Sequence, residues 1–195
     1  QYGGVGSSVV GVAGTLNNAG FLYLGRGADQ LGSDTTLTVS ALANTGQITM
    51  YGGYTSPATA TLAVHSNAGM GAEGVASGNV ALDGRAALVF DAGQIGTIAA
   101  GGLLQFFGLS RIADAADVTS NSALTGLTSV AGTLSLGDET LAVAGDLGNT
   151  GRIDIDDQYG GVGSSVVGVA GTLNNTGALY IGRGADQLGS SVSVS

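Results

Sequence analysis

Residues 1–33 return almost unchanged as residues 158–190, with 30 of 33 positions identical and an offset of 157. The two copies differ only at Ala19/Thr176, Phe21/Ala178 and Leu24/Ile181. So faithful a repeat demands an architecture that accepts the same piece twice along one direction. We read residues 1–195 as a single continuous segment, with 1–157 as one long unit and 158–195 as the start of the next copy. The sequence opens on Gln1 and closes on an alternating Ser-Val run, and we expect it to be a piece of a longer polypeptide.

A shorter pattern lies inside the long one. Its form is apolar-x-Val-x-x-x-Leu-x-Asn-x-Gly-x-apolar-x-apolar, as in Val10, Val12, Leu16, Asn18, Gly20, Leu22, Leu24. It recurs through Asn149 and Gly151, through Asn175 and Gly177, and, one residue shorter, through Asn44 and Gly46. Weaker echoes run through Leu62-Val64-Asn67-Gly69, through Val89-Asp91-Gly93-Ile95 and near Asn121. Anchored on residues 18, 44, 67, 91, 121, 149 and 175, the motif advances about 26 residues at a time, the length of one turn of a β-solenoid.

The alternation within each motif is that of a strand with one buried face. One such coil buries little alone, but coils stacked at about 4.8 Å pair their strands and cover each other's apolar side chains. The expected fold is an all-β parallel β-helix of about seven coils. Asn18, Gly20, Asn44, Gly46, Asn149, Gly151, Asn175 and Gly177 are expected to form its corner. There Gly tolerates positive φ, and Asn tolerates left-handed geometry and can build an amide ladder. Residues 69–79 and 99–122 are expected to leave the coil as loops. Within the second, Leu103–Leu109 is read as core packing, with a cap, a short helix or a lateral contact as alternatives.

Composition removes several classes. The five cations are Arg26, Arg85, Arg111, Arg152 and Arg183, set against fourteen acids for a net charge of −9, which leaves no basic patch for nucleic acid. No apolar run approaches the roughly 18 residues needed to cross a bilayer. With no Cys, disulfides and thiolate metal sites are excluded.

Candidate sites are sparse. Gly25-Arg26-Gly27-Ala28-Asp29-Gln30-Leu31 resembles part of the calcium-binding nonapeptide of secreted RTX proteins and recurs at residues 182–188. Such sites need tandem copies on adjacent turns. It occurs once per long unit, so a Gly-rich loop is the reading adopted. Asp154 and Asp156 alternate onto one outward face beside Arg152, with Asp157 next to them, and are read as exposed rather than as calcium ligands. His65 is read as a surface or corner residue with no evident partner. Asp83 with Arg85, and Arg111 with Asp114 and Asp117, are the remaining groupings. A hydrolase triad needs a His oriented beside its nucleophile, and the lone His65 has no evident partner to orient it; neither acid grouping has a matched partner one coil away. We therefore expect no enzyme, no metal and no cofactor.

The segments GTLNNAGFLYLG, SALANTGQITMYGG, GDLGNTGRIDIDD and GTLNNTGALYIG resemble the passenger regions of bacterial autotransporters and filamentous-haemagglutinin-like adhesins. The resemblance implies a right-handed parallel β-helix, export to the outer surface of a Gram-negative cell and a role in adhesion, aggregation or biofilm matrix. The function expected is a structural segment of a secreted or cell-surface fibre, supplying length, stiffness and self-association. Its expected partners are further copies of the same repeat, in one chain or end to end. The alternative is an adhesin scaffold whose loops bind a host receptor or surface glycan, with Tyr23, Tyr51, Tyr54 and Tyr180 as stacking platforms. An ice-binding array would need Thr-x-Thr on successive coils, and only Thr36-Leu37-Thr38 provides it.

Overall fold

The computed structural model describes residues 7–25, 31–157 and 164–182, together with the backbone of 193–194. Its chain winds into stacked rungs. The first holds β1 (Ser8–Asn18) and β2 (Phe21–Gly25), and the second β3 (Thr35–Asn44) and β4 (Gln47–Tyr51). The third holds β5 (Ala60–Asn67), β6 (Val75–Ala76) and β7 (Asn79–Asp83), and the fourth β8 (Ala86–Ala92), β9 (Thr97–Ile98) and β10 (Leu103–Phe107). The fifth carries β11 (Arg111–Asp114), a single 3-10 turn at Ser122–Leu124, β12 (Ser129–Val130) and β13 (Thr133–Gly137). The sixth runs through β14 (Thr140–Val143), β15 (Leu147–Asn149) and β16 (Arg152–Ile155), and the seventh through β17 (Val166–Val169), β18 (Leu173–Asn175) and β19 (Ala178–Ile181). An eighth begins with β20 (Ser193–Val194).

The paired strands run parallel, and each pair joins one rung to the next. The longest sheet runs β2-β4-β7-β10-β13-β16-β19 without interruption. One interior column of that sheet reads Leu22, Ile48, Val80, Leu104, Leu134, Ile153, Leu179. Its members are unevenly spaced along the chain: the step from Ile48 to Val80 is the longest, and that from Leu134 to Ile153 the shortest. The column nevertheless begins and ends on the same residue of the repeat, because Leu22 and Leu179 are equivalent positions of the two copies. Seven rungs thus enclose about six full turns, and the stack is the all-β parallel solenoid that the motif predicts. The average turn length inferred from the motif stands, but individual turns stretch or shrink around it.

The core is a stack of apolar columns. Val10, Leu37, Leu62, Leu88 and Ile112 follow one another on the first face, beside Val12, Val39, Val64 and Phe90. Phe90, Phe106, Ile48, Met50, Leu62 and Leu82 are fully buried. At about 25 cal/mol per Å² of apolar surface removed from water, each added rung stabilises its neighbours.

Two sequence expectations shift here. Residues 99–122 are not one loop, because β10 and β11 lie within that span. Leu104 and Phe106 point into the core as expected, whereas Leu109 is exposed. The excursion is instead 115–128, and its cause is legible in the register. Asp114 falls opposite Phe90, where the interior column would need another apolar side chain. A carboxylate cannot continue that column without a large desolvation cost. The strand ends there, and β11 is the last member of its sheet. The 69–79 excursion is likewise shorter than expected, since β6 rejoins the stack at Val75.

Candidate functional site

The Asn-x-Gly corners lie on the stack axis in two pairs. Asn18 is in register with Asn44, and its Nδ2 donates to Asn44 Oδ1 at 2.8 Å. Asn149 is in register with Asn175, and its Nδ2 donates to Asn175 Oδ1 at 2.7 Å. Between the pairs the ladder is broken. Asn44 Nδ2 donates upward to the Ser77 and Asn79 carbonyls. Asn149 sits on Val130, and its buried Oδ1 accepts no hydrogen bond.

The weaker echoes do not extend this corner. Asn67 lies opposite Ala92 on the first face, and Asp91 pairs with His65. Leu88 and Phe90 face the core, so Val89 is one residue out of the expected phase. Asn121 belongs to the excursion.

The corner glycines also act differently from expectation. Gly20, Gly46, Gly151 and Gly177 are not among the positive-φ residues. What they provide is room. A Cβ on Gly46 would lie 2.3 Å from the Gly20 carbonyl oxygen, on Gly151 2.1 Å from that of Gly132, and on Gly177 2.3 Å from that of Gly151. Each of these three corner backbones therefore rests directly on the one below it.

Side chains cross the junction between rungs 6 and 7 at several points, and Arg152 of rung 6 anchors one of them. Arg152 Nε lies 2.6 Å from Asp154 Oδ2, and its Nη2 3.2 Å from Asp157 Oδ2. The guanidinium stands 4.6 Å from the centre of the Tyr180 ring one rung above, a cation–π contact. The acids expected on an exposed face are buried instead, with Asp154 5% and Asp156 6% exposed. Arg152 and Tyr180 fold over Asp154, while Asp156 turns through a positive φ and accepts from Ser165 Oγ at 2.8 Å and from two backbone amides. Asp146 accepts the Thr172 amide at 2.7 Å, and Ser165 Oγ accepts the Glu139 amide.

Beneath this junction, the excursion seals the break between β11 and β14. Asn121 Oδ1 accepts the Ile112 amide at 2.9 Å, and its Nδ2 donates to the Thr140 carbonyl at 3.0 Å. One side-chain amide thereby supplies the donor and acceptor that a neighbouring strand would have offered. Ser122 Oγ accepts the Asp114 amide in the same way. Glu139 is 5% exposed between Ser110 and Asn121, and burial pushes its carboxyl up to about 7 against the opposing pull of those two donors. A cleft of about 280 Å³ opens here, lined by Arg111, Ser120, Asn121, Asp138, Glu139 and Thr140 among others. Asp117 stays in the loop, where hydrogen bonds from Ser120 and Thr119 hold its carboxyl down at about 2. Arg111 donates to the Leu109 and Ser110 carbonyls.

The other candidates lie apart. His65 does have a partner: its Nδ1 is 3.0 Å from Asp91 Oδ1, with both side chains 57% exposed on adjacent rungs. Tyr54 donates to Asp83, and its ring covers Gly84 and Gly108. Burial and that carboxylate hold its phenol well above the ordinary value. Its ring braces those two glycines while remaining 42% exposed. Tyr23 is exposed and stacks on Phe21 at 6.4 Å. Of the RTX-like stretches, residues 26–30 and 183–188 lie outside the described residues. Among the described residues, no three His, Asp or Glu side chains are grouped to hold a metal ion, and no helix is long and apolar enough to cross a membrane.

No family model matches the chain, and neither a curated protein nor a solved structure matches it.

Proposed function

We propose that this chain is a structural segment of a long fibre, supplying length and stiffness through stacking that continues from one repeat unit to the next. The observation that carries the reading is the register at the start of the second copy. Val166 and Val167 lie beside Ser193 and Val194, as Val9 and Val10 lie beside Thr36 and Leu37. The sequence period and the structural period therefore coincide: the offset that carries Val9 onto Val166 is a whole number of turns. Had it been five and a half, the second copy would meet the stack rotated and would bury the wrong side chains. At about 4.8 Å per rung, one unit advances the stack by about 29 Å. The likeness of the Leu-x-Asn-x-Gly segments to autotransporter and haemagglutinin passengers extends the proposal to an exported fibre on a bacterial surface, working in adhesion or aggregation.

Small-angle X-ray scattering tests the rod. Fusing one further repeat unit in frame should lengthen the largest dimension by about 29 Å while leaving the cross-sectional radius unchanged. A profile of two beads joined by a hinge would contradict it.

A further inference from the structure

Three segments far apart in sequence meet at the cleft beside the excursion. They are the β10–β11 connection at residues 108–111, the excursion at 119–121 and the β13–β14 connection at 138–140. The volume of about 280 Å³ falls a little under the roughly 300–1,000 Å³ of sites for drug-sized ligands, which suits one small ring. Leu109 and Ala142 give the wall an apolar patch, and most of the rest is polar.

Much of this wall's hydrogen-bonding capacity is unspent. Arg111 donates from Nη1 to two backbone carbonyls, while its Nε and Nη2 donate to no group among the described residues. Asp117 and Glu139 feel its charge, yet neither forms an ion pair with it. Ser120 Oγ spends its proton on Asp117 and keeps its acceptor lone pairs. Each Glu139 oxygen accepts one bond, from Ser110 at 3.2 Å and from Asn121 at 3.4 Å, and has room for another. Burial leaves that carboxyl part protonated near neutral pH, able to donate as well as accept. The hydroxyl of the exposed Thr140 has no partner among the described residues. A second cleft, of about 330 Å³ beside residues 69–73, differs in this respect: Asn67 donates to Glu73 at 2.7 Å, so its amide and its carboxylate engage each other.

We infer that this cleft binds a neutral sugar, seating one pyranose ring between Arg111, Ser120, Glu139 and Thr140. Donors and acceptors stand side by side in a small space, and a sugar hydroxyl both donates and accepts. An anion would meet Asp138 and Glu139 on a chain of net charge −9, and a cation would meet Arg111. An apolar ligand would strip water from these polar groups and offer nothing in return. Tyr54 extends the site. A Cβ on Gly108 would lie 3.0 Å from Tyr54 Cε1, so the ring borders the cleft where Gly108 lines it. The exposed part of that ring offers a face for the apolar side of a second sugar ring. The site is complete within one chain, so the inference goes beyond the fibre reading and stands apart from it.

The test uses the full chain, isotope-labelled, and amide NMR spectra recorded as methyl glycosides of glucose, galactose, mannose and N-acetylglucosamine are added. At least one of these sugars should shift amides of residues 108–111, 119–121 and 138–140 and leave β3 and β5 unmoved. Arg111→Met should weaken that sugar about tenfold, the loss of a hydrogen bond from a charged donor. Thr140→Val should weaken it roughly threefold. Tyr54→Ala should weaken the matching disaccharide more than the monosaccharide, and Glu73→Gln, in the second cleft, should change nothing. Circular dichroism checks the fold of each variant. Should Arg111→Met unfold, Thr140→Val decides, since it removes only a hydroxyl from an exposed residue. No shifts with any of the four sugars, shifts centred elsewhere, or unchanged affinity in the folded variants overturn the inference. So does binding of glucuronate or sulfate alone, which would make the cleft an anion site. A rod that lengthens as expected in scattering beside a negative result here would leave the fibre reading intact and remove only the sugar site.

Discussion

Gly46 sits where a Cβ would come within 2.3 Å of the Gly20 carbonyl oxygen, with backbone atoms of Ala19 and Gly20 close behind it. No flexible side chain is there to move aside, so the rungs themselves would have to part. Gly11 is a contrasting case in the same stack: it lies in β1 without a positive φ, and a Cβ there meets nothing. Gly46→Ala should therefore destabilise the fold by about 1–3 kcal/mol, the usual penalty for overpacking a tight site. Gly11→Ala should be neutral or stabilise it by roughly 0.4–1 kcal/mol through the unfolded chain. Urea titrations of the two variants check the pair. If Gly46→Ala proved as mild as Gly11→Ala, close corner stacking would not be what Gly46 is there for. The motif revealed where these glycines fall. Their reason was not legible, because it lies in the neighbouring rung and not in the local turn.

The excursion after β11 is held by a buried polar knot, and Glu139 gives it a pH dependence. Its carboxyl is raised to about 7 in the folded protein, chiefly by burial, against about 4.3 in an unfolded chain. The folded state thus holds this proton more tightly than the unfolded state does. Between those two values the folded side is protonated and the unfolded side is not, so stability falls as pH rises across the window. The loss is on the order of 3 kcal/mol once pH exceeds the folded value. Unfolding midpoints measured from pH 4.5 to pH 8 should decline for the parent chain, and Glu139→Gln should flatten that decline. An equal decline in the variant would place the titrating group elsewhere. Periodicity identified most strands, since Leu62, Val64, Leu141, Val143 and their neighbours alternate cleanly. It misplaced the corner in the middle rungs. There the positions stacked beneath Asn149 are Val130, Ile98 and Ala76, none of them Asn. Asn67, Asp91 and Asn121 supplied plausible but false anchors. The Glu139 knot joins Ser110, Asn121, Glu139, Asp156 and Ser165, which no local pattern links.

Across the whole molecule, stability is a sum over neighbouring rungs, and a rung with one neighbour has less of it than a rung with two. Val9, Val10, Phe21 and Tyr23 are exposed in rung 1, whereas Leu88, Phe90, Leu104 and Phe106 in rung 4 are enclosed. Native-state hydrogen exchange should be slowest for amides of β8 and β10 and fastest in β1 and β2, with opening that works inward from the ends. Uniform protection across all rungs would mean that the stack melts as one cooperative block.

The uneven turn lengths have a further consequence. The turn from Leu134 to Ile153 is far shorter than the one from Ile48 to Val80, yet the six together close on equivalent positions of the two copies, Leu22 and Leu179. The extra residues leave the stack sideways and do not alter its pitch. Residues 115–120, the exposed part of the excursion, would project once per period, so a filament of many copies would carry identical protrusions about 29 Å apart. Such a filament is a ruler: whatever the protrusions meet, they meet at a fixed interval, and weak individual contacts at matching intervals add up to firm attachment.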